Sequence, residues 1–394
     1  MKHPLIRLVF FVVCTGACFC IVQGQLRQER ARRLSKGGRL VTKEIPFFPA
    51  RKTAGEIASA TITTAPADFV KGLRLHFKFN AEAIRQAGQA GTWKVVVLDF
   101  AGNELWDFDS KSESELDEFW SIQFVASGVD VKVFSEVPNS VLKLTCDERI
   151  EYSEPIQEKS IVGDDNTIEI TQATDPNYIR WGHSVARLTF VTDDDKAVST
   201  CTGFLIGADL FLTNEHCPRS IQEQRSAIVE FDYDSESART RIYRLKTRLE
   251  RNEALDFAIY KLNRPLTDRS FLKLANDDQN LTNQKPLIII QHPAGLPKRL
   301  AAFQCDVKTL ATGVQPETDF GHECDTQGGS SGSPIQNANG LVVGIHHYGF
   351  NMALEPALRI NQGVKMGAIL SYLEKQNKTL YKLLTNPQQT GGPQ

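Results

Sequence analysis

Residues 328–334 have the sequence GGSSGSP, and this run of small residues constrains the chain more than any other segment. Such a run is either a flexible loop or a turn that presents a nucleophilic serine, and the run alone does not distinguish the two. Two upstream segments do bear on the choice. They are residues 212–217, LTNEHC, and residues 254–259, ALDFAI.

These three segments together hold the side chains that nucleophilic catalysis by serine requires. A serine hydroxyl is a poor nucleophile at neutral pH, so it needs an imidazole to take its proton and a carboxylate to hold that imidazole in the useful tautomer. Along the chain, His216 supplies the imidazole, Asp256 the carboxylate and Ser331 the hydroxyl. Taken singly, His216 could be a buried histidine beside a disulfide and Asp256 could close a turn, but the order and setting of all three favour a catalytic triad.

Apolar, strand-like runs surround each of these residues. Residues 201–206 and 210–213 lead into His216, and residues 257–262 follow Asp256. Behind Ser331, the turn at 337–340 precedes the run LVVGI at 341–345, which is a hairpin signal. The pattern predicts that short antiparallel strands carry the three residues.

Residues 176 to 385 resemble the trypsin-like serine peptidase family. The resemblance rests on CTGFL and LTNEHC around His216, DFA at Asp256, GGSSGSP around Ser331 and GIHHYG at 344–349, and it is closest to the secreted lysyl and glutamyl endopeptidases. It implies an all-β fold of two six-stranded antiparallel barrels, chymotrypsin-like, with a closing C-terminal helix. His216 and Asp256 would lie on the first barrel and Ser331 on the second, and no cofactor would be needed.

The resemblance also assigns the oxyanion hole and exposes one departure from the family. By position, the backbone N–H groups of Gly329 and Ser331 would bind the oxyanion, each worth about 3 kcal/mol. The digestive and clotting enzymes carry an Asp where this chain has Ser330, and that Asp pairs with a newly cut N-terminal ammonium. Ser330 offers no charge, so the sequence IVGD at 161–164 is expected not to act as an activation N-terminus.

Five cysteines lie beyond the N-terminal apolar run. Cys201 and Cys217 flank the histidine hairpin and are expected to be bridged, as in the family, and Cys305 and Cys324 form the natural second pair. Each bridge closes a loop of about 15 to 20 residues, worth about 3 kcal/mol. Cys146 is left over, either free or paired with another molecule. No histidine or cysteine spacing typical of a metal site occurs, so no metal is expected.

The residues of the primary specificity pocket leave two interpretations open. Asp325 lies six residues before Ser331, the position at which the trypsin branch of the family has its pocket-floor carboxylate, and the resemblance implies that this charge would favour substrate Lys or Arg. Thr326, His346 and His347 instead resemble the residues with which glutamyl endopeptidases hold an acidic side chain. We expect a preference for Lys or Arg, with Glu as the alternative.

The N-terminus predicts export. Lys2 and Arg7 precede an apolar run over residues 8–22, which is short for a membrane span and typical of a secretory signal. We therefore expect a signal peptide at 1–24 and a secreted, extracellular or periplasmic protein; a retained anchor helix is the alternative. The formal charge of −2 with mixed signs gives no indication of a nucleic-acid partner, and no membrane contact is expected after the signal is removed.

The remaining chain divides by composition. Alternation at Leu73, Leu75, Phe77 and Phe79 predicts a strand with one buried face, and three further strand-like runs follow it. These strands predict a small β-sandwich whose role, as a folding pro-region, an inhibitory cover or a docking module, stays open. The expected order is a basic irregular segment at 25–55, the β-sandwich at 56–145, an acid-rich linker at 146–175, the peptidase domain at 176–385 and a disordered tail at 386–394.

These features predict a secreted serine endopeptidase that cleaves protein or peptide substrates through an acyl-enzyme. The competing hypothesis is a peptidase homologue without activity that serves as a binding module. Such homologues usually lose a member of the triad, and here His216, Asp256 and Ser331 are all present. The oligomeric state stays open.

Overall fold

The computed structural model describes residues 39–45, 47–49, 55–64, 72–79, 93–109, 118–124, 126–135, 144–152, 159–161, 164–194, 196–276, 278, 281–282, 285–312, 315–349 and 360–385. The expected signal peptide at 1–24, most of the basic segment at 25–55 and the tail at 386–394 lie outside these residues. Among the described residues, no helix has the length and apolar character needed to cross a membrane.

Two antiparallel sheets near the N-terminus enclose one hydrophobic cluster. Both contribute apolar side chains to it, including Leu75, Val97 and Val131, none of which has any exposed surface. The first sheet has the order β1-β9-β4-β7, with β1 Arg39–Ile45, β4 Gly72–Phe79, β7 Glu118–Trp120 and β9 Leu144–Tyr152. The second has the order β2-β3-β8-β5-β6, with β2 Phe48–Pro49, β3 Glu56–Thr63, β5 Trp93–Leu98, β6 Glu104–Asp109 and β8 Gly128–Ser135.

The bounds of 56 and 145 expected for this region are too narrow. Strands β1 and β2 precede residue 56, and β9 continues to Tyr152 with β1 and β4 as its neighbours. The acidic composition after residue 146 concealed this strand, because its charged side chains are paired within the fold. Arg149, for example, contacts Glu151 at 3.0 Å. The expected linker at 146–175 therefore includes seven of the nine residues of β9.

The alternation in β4 produces a strand that is buried on both faces rather than one. Phe77 packs in the sheet-to-sheet core, while Arg74 on the other face is fully buried. The Arg74 guanidinium donates to the backbone carbonyls of Ser121 and Ser226, both at 2.6 Å. Because Ser226 belongs to the region after residue 176, that region covers the polar face of β4 at Arg74, whereas Lys78 near the end of the strand stays exposed.

The second half of the chain consists of two larger, curled antiparallel sheets, which confirms the predicted all-β fold class with its paired barrel-like sheets. They have seven and eight strands, more than the six expected for each, because short edge strands add to them. The first has the order β16-β15-β12-β13-β14-β18-β17, with β12 Val185–Val191, β13 Val198–Leu205, β14 Leu210–Thr213, β15 Ile228–Phe231, β16 Arg241–Tyr243, β17 Leu245–Asn252 and β18 Phe257–Leu262.

The second large sheet has the order β11-β20-β19-β24-β25-β26-β22-β21. A two-stranded ladder of β10 and β23 lies beside it. The strands are β10 Lys159–Ser160, β11 Ile168–Glu169, β19 Leu287–Gln291, β20 Arg299–Ala301, β21 Val307–Thr309, β22 Asp319–His322, β23 Thr326–Gln327, β24 Pro334–Asn337, β25 Val342–Tyr348 and β26 Asn361–Lys365.

Short helices complete this half of the chain. The single closing helix expected near residues 364–384 is divided in two at Asn377, whose side-chain oxygen accepts from the Leu380 N–H at 3.2 Å and so caps the second helix. Met366, Leu373 and Leu384 pack into the core between the two large sheets. The helices are α1 Pro176–Gly182, α2 Ile221–Ser226, α3 Met366–Gln376 and α4 Lys378–Thr385, with 3-10 turns η1 Ile170–Gln172 and η2 Pro293–Gly295.

Candidate active site

His216 lies just beyond the end of β14, at one edge of the seven-stranded sheet. Strand β14 pairs with β18 so that Thr213 faces Ala258, which brings the residues after β14 and those before β18 to the same edge. A disulfide between Cys201 on β13 and Cys217 fixes the loop that carries the histidine. The side chain of His216 is 7 % exposed, so one edge of the ring reaches solvent.

Asp256, immediately before β18, holds His216 through three contacts. Its Oδ2 and Oδ1 lie 2.8 and 3.1 Å from His216 Nδ1, and Oδ1 also accepts the His216 backbone N–H at 3.1 Å. Asp256 has a φ of 45°, a conformation uncommon for residues other than glycine. The side chain of Asn214 donates to the Asp256 carbonyl at 2.8 Å and stabilises that backbone.

The electrostatics of this pair favour an ionised aspartate. Burial alone would raise the pKa of Asp256, but the charge and hydrogen bonds of His216, together with those of His347, hold it well below its usual range. An ionised carboxylate only accepts hydrogen bonds, so His216 Nδ1 carries the proton and the Nε2 lone pair faces away from the aspartate.

Ser331 lies in a tight turn between β23 and β24 that packs against β13. The Thr202 N–H donates to the Ser331 carbonyl at 2.8 Å, and the Gly332 N–H donates to the His346 carbonyl at 2.8 Å. Gly332 has a φ of 87°, and a Cβ there would lie 2.1 Å from the Thr202 carbonyl oxygen. Only glycine fits this position, and the close approach brings Ser331 to the edge of the sheet that carries His216.

Gly329 also adopts a conformation that requires glycine. Its φ is 99°, and a Cβ would lie 2.7 Å from the carbonyl oxygen of His292. The Thr202 hydroxyl donates to the Gly329 carbonyl at 2.9 Å and accepts the His292 N–H at 3.0 Å. One buried hydroxyl therefore joins β13, the segment before η2 and the turn that contains Gly329.

Ser330 is fully buried and bonds within its own turn. Its hydroxyl accepts the Gln327 N–H at 3.1 Å, and its carbonyl accepts from both the N–H and the hydroxyl of Ser333. The segment at 161–164 that resembles an activation N-terminus is described only at Ile161 and Asp164. The expectation that it does not activate the protein stays a prediction.

The four residues expected in the specificity pocket have different surroundings. Asp325 is buried, and its Oδ2 accepts the backbone N–H of Asn166 at 2.8 Å. Thr326, also buried, lies on β23 and pairs with β10. His346 Nδ1 lies 3.2 Å from a ring nitrogen of His322.

The neighbouring histidine, His347, points to the opposite face of β25, as expected for adjacent residues on a strand. Its Nδ1 lies 3.3 Å from Asp256 Oδ2, and its Nε2 lies 3.5 Å from Asp319 Oδ2. His347 therefore contacts the Asp256 carboxylate, a contact that the sequence analysis did not foresee. Asp319 is separated from it by 28 positions, and no local pattern links the two.

Both predicted disulfides are present. Cys201 is bonded to Cys217, and Cys305 to Cys324. Cys146 is a free, buried thiol in the core between the two N-terminal sheets, and burial raises its pKa to about 12. A buried thiol of this kind is not available for pairing with another molecule, which excludes one of the two alternatives for Cys146 in this fold.

Comparison with known proteins finds a family model that matches the part of the chain containing His216, Asp256 and Ser331. Residues 201–345 match the trypsin-like peptidase domain. Over 212 residues, 48 % of this chain, the sequence is 28 % identical both to the uncharacterized protein y4fB of Sinorhizobium fredii and to the secreted RxLR effector protein 73 of Plasmopara viticola. The matches span only 31 % and 51 % of those two proteins.

Solved structures of proteases are also similar to part of the chain. The active form of a protease from M. tuberculosis is 18 % identical, with a TM-score of 0.39 over 51 % of this chain and 84 % of that one. An inactivated protease paralogue of the scabies mite is 16 % identical, with a TM-score of 0.41 over 51 % of this chain and 96 % of that one.

Proposed function

We propose that this chain, which contains a trypsin-like peptidase domain over residues 201–345, is a secreted serine endopeptidase that works through an acyl-enzyme. Ser331 would be the nucleophile, His216 the general base and Asp256 the residue that orients His216. The observation that carries the proposal is the pair of contacts, 2.8 and 3.1 Å, from the Asp256 carboxylate to His216 Nδ1. With Nδ1 protonated, Nε2 is the nitrogen able to take a proton from a serine hydroxyl.

The chemistry follows from these roles. Ser331 Oγ attacks the substrate carbonyl while its proton passes to His216 Nε2, and the resulting oxyanion collapses as His216 gives that proton to the leaving amine. Water then repeats the sequence and releases the acyl group. Throughout, Asp256 stays ionised and stabilises the imidazolium that forms, which agrees with the direction of its pKa shift.

The oxyanion would be bound by the backbone N–H groups of Gly329 and Ser331. Two observations on the peptide groups that carry these N–H groups support the assignment: the Gly328 carbonyl accepts the Ala294 N–H, and the Ser330 carbonyl accepts both the N–H and the hydroxyl of Ser333. Each bond fixes a peptide group of this turn without an ion pair. A hole built in this way would be preorganised in the uncut chain, and Ser330 would need no charged partner.

For the residue before the cleaved bond, we propose a preference for Lys or Arg through the charge of Asp325, with Glu as the alternative through His346 and Thr326. The bond from the Asn166 N–H to Asp325 Oδ2, at 2.8 Å, fixes the position of this carboxylate. Profiling with a fluorogenic peptide library decides between the two. Asp325→Asn should abolish cleavage after Lys and Arg, whereas unchanged profiles would exclude Asp325 from recognition.

Export fits the two disulfides, since such bonds persist in oxidising compartments. The apolar run at 8–22 would direct it, and protein or peptide substrates would be met outside the cytoplasm. The competing proposal, a binding module without activity, keeps the same fold but predicts no turnover.

The test uses Ser331→Ala, His216→Ala and the double variant in the processed protein. Because the residues act as a unit, each single variant and the double variant should lose kcat by similar factors, on the order of 10⁴ or more. Unchanged Tm values would serve as the control for folding. Losses that multiply in the double variant would contradict a shared proton transfer, and a wild-type protein that cleaves no peptide would favour the binding module.

A further inference from the structure

His347 lies between two carboxylates in the interior of the second half of the chain. Its Nδ1 is 3.3 Å from Asp256 Oδ2 and its Nε2 is 3.5 Å from Asp319 Oδ2. The side chain of His347 has no exposed surface and that of Asp319 only 1 %. The residues His216, Asp256, His347 and Asp319 therefore form one continuous row of alternating imidazoles and carboxylates, here called the four-residue chain.

The number of protons on His347 follows from its two neighbours. An ionised carboxylate accepts hydrogen bonds and donates none, so each ring nitrogen that faces one is stabilised when it carries a hydrogen. A neutral imidazole has a single N–H and would direct its lone pair at one of the two carboxylates. In a buried site that repulsion is costly, whereas the imidazolium satisfies both oxygens.

The other titratable groups around His347 stay neutral. Burial, and then the charge of His347, lower the pKa of His322 to about 3. Burial, followed by the charges of His322, His347 and His216, lowers the pKa of His346 well below its usual range. These two histidines face each other at 3.2 Å, and neither is placed between carboxylates as His347 is. The Thr318 hydroxyl, which lies 3.4 Å from Asp319, adds no charge.

Asp256 Oδ2 is the point where the two halves of the four-residue chain meet. This oxygen contacts His216 Nδ1 at 2.8 Å and His347 Nδ1 at 3.3 Å. Rotation of the carboxylate would break both contacts at once. A fixed positive charge on the far side of Asp256 also reduces the attraction between this carboxylate and a proton on His216.

We propose that His347, held by Asp319, is a cationic positioning residue that fixes the Asp256 carboxylate toward His216. This inference rests on the proposed function, because positioning matters only if His216 transfers protons. His347, which was expected in the specificity pocket, is thereby assigned to Asp256 instead, and through that carboxylate it acts on His216.

Three variants separate positioning from packing. His347→Leu removes both N–H groups, and its kcat should fall about 10²-fold with little change in KM, since misorientation of a catalytic group acts on the chemical step. His347→Asn keeps an amide N–H toward Asp256 without the charge and should restore most of kcat. His322→Gln, which alters a buried histidine that contacts neither carboxylate, is the matched control.

The pH profile of kcat/KM reports the charge. The acidic limb is the pH range in which kcat/KM falls as the pH is lowered. In His347→Leu and His347→Asn, this limb should move to a pH about one unit higher, because without the cation the Asp256 carboxylate holds a proton on His216 more strongly. His322→Gln should leave the limb in place. A role in packing alone would lower Tm and kcat in these variants without moving the limb.

A direct measurement of the protonation state does not depend on activity. In Ser331→Ala protein labelled with ¹⁵N-histidine, both ring nitrogens of His347 should resonate as protonated at pH 7, with the assignment taken from the loss of the signals in His347→Asn. One unprotonated ring nitrogen, or a His347→Leu variant with wild-type kcat and acidic limb, would overturn the inference. A wild-type protein that cleaves no peptide while its His347 is doubly protonated would refute the proposed function instead.

Discussion

Replacing Thr202 by valine tests how the turn around Ser331 is held. The Thr202 hydroxyl donates to the Gly329 carbonyl at 2.9 Å and accepts the His292 N–H at 3.0 Å, and the side chain is fully buried. Valine has nearly the same shape, so the packing is kept while both bonds are lost. Each backbone group left without a partner in a buried site costs about 1–3 kcal/mol, so the two together should destabilise the protein by about 2–6 kcal/mol.

The same substitution at Thr189 is the matched control. Thr189 is buried on the neighbouring strand β12, and its hydroxyl has no hydrogen-bond partner among the described residues. Thr189→Val should therefore leave Tm unchanged or raise it slightly. Thr202→Ser, which keeps the hydroxyl and loses a methyl group, should fall between the two.

Tm by differential scanning fluorimetry and steady-state kinetics on a fluorogenic peptide are the two assays. Thr202→Val should lower Tm by about 5–20 °C. It should lower kcat by about 10²-fold, because the turn that carries both oxyanion-hole N–H groups loses one of its anchors. If Thr202→Val matches Thr189→Val in both assays, the Thr202 hydroxyl does not organise the turn and the reasoning is refuted.

Three further outcomes follow from single residues. Gly332→Ala should abolish cleavage in folded protein, because the new Cβ would lie 2.1 Å from a backbone carbonyl oxygen; retained activity would show that the turn can shift. The Cys146 thiol, with its pKa raised to about 12, should react with a thiol reagent at pH 8 only after denaturation of processed protein, and a fast reaction in the native state would contradict its burial. The pKa of His322 is about 3 in the folded protein, whereas an ordinary histidine has a pKa near 6.5. Between these two pH values, the unfolded chain therefore binds a proton on His322 that the folded protein does not bind. Tm should therefore fall as pH drops below about 6.5, and less steeply in His322→Gln, whereas equal slopes would assign the acid sensitivity to other groups.

The three candidate catalytic residues were predictable because each follows from a local pattern. His216, Asp256 and Ser331 stand at strand ends, and strand ends are visible as apolar runs interrupted by turn residues. The division of the closing helix at Asn377 was not predicted: asparagine is a favoured N-cap, but the apolar spacing continues across it and hides the break.

The groups that hold the site were not predictable in the same way. Thr202 reaches Gly329 across 127 positions, and His347 meets Asp319 only because β22 and β25 flank β26. Such contacts depend on strand order, which a single sequence does not reveal. For the same reason the part of β9 after residue 145 was taken as a linker, since Asp147 is paired with Lys78 and His76 of the neighbouring strand β4.

The most direct test of the central claim is covalent labelling of the processed protein with an organophosphonate, followed by peptide mass spectrometry. A catalytic Ser331 should be modified at close to one group per molecule, and Ser331→Ala or prior denaturation should abolish the modification. His216→Ala should slow it by orders of magnitude, because the hydroxyl loses its base. No modification of folded wild-type protein, or a modification that persists in Ser331→Ala, would contradict the assignment of this site as a serine peptidase.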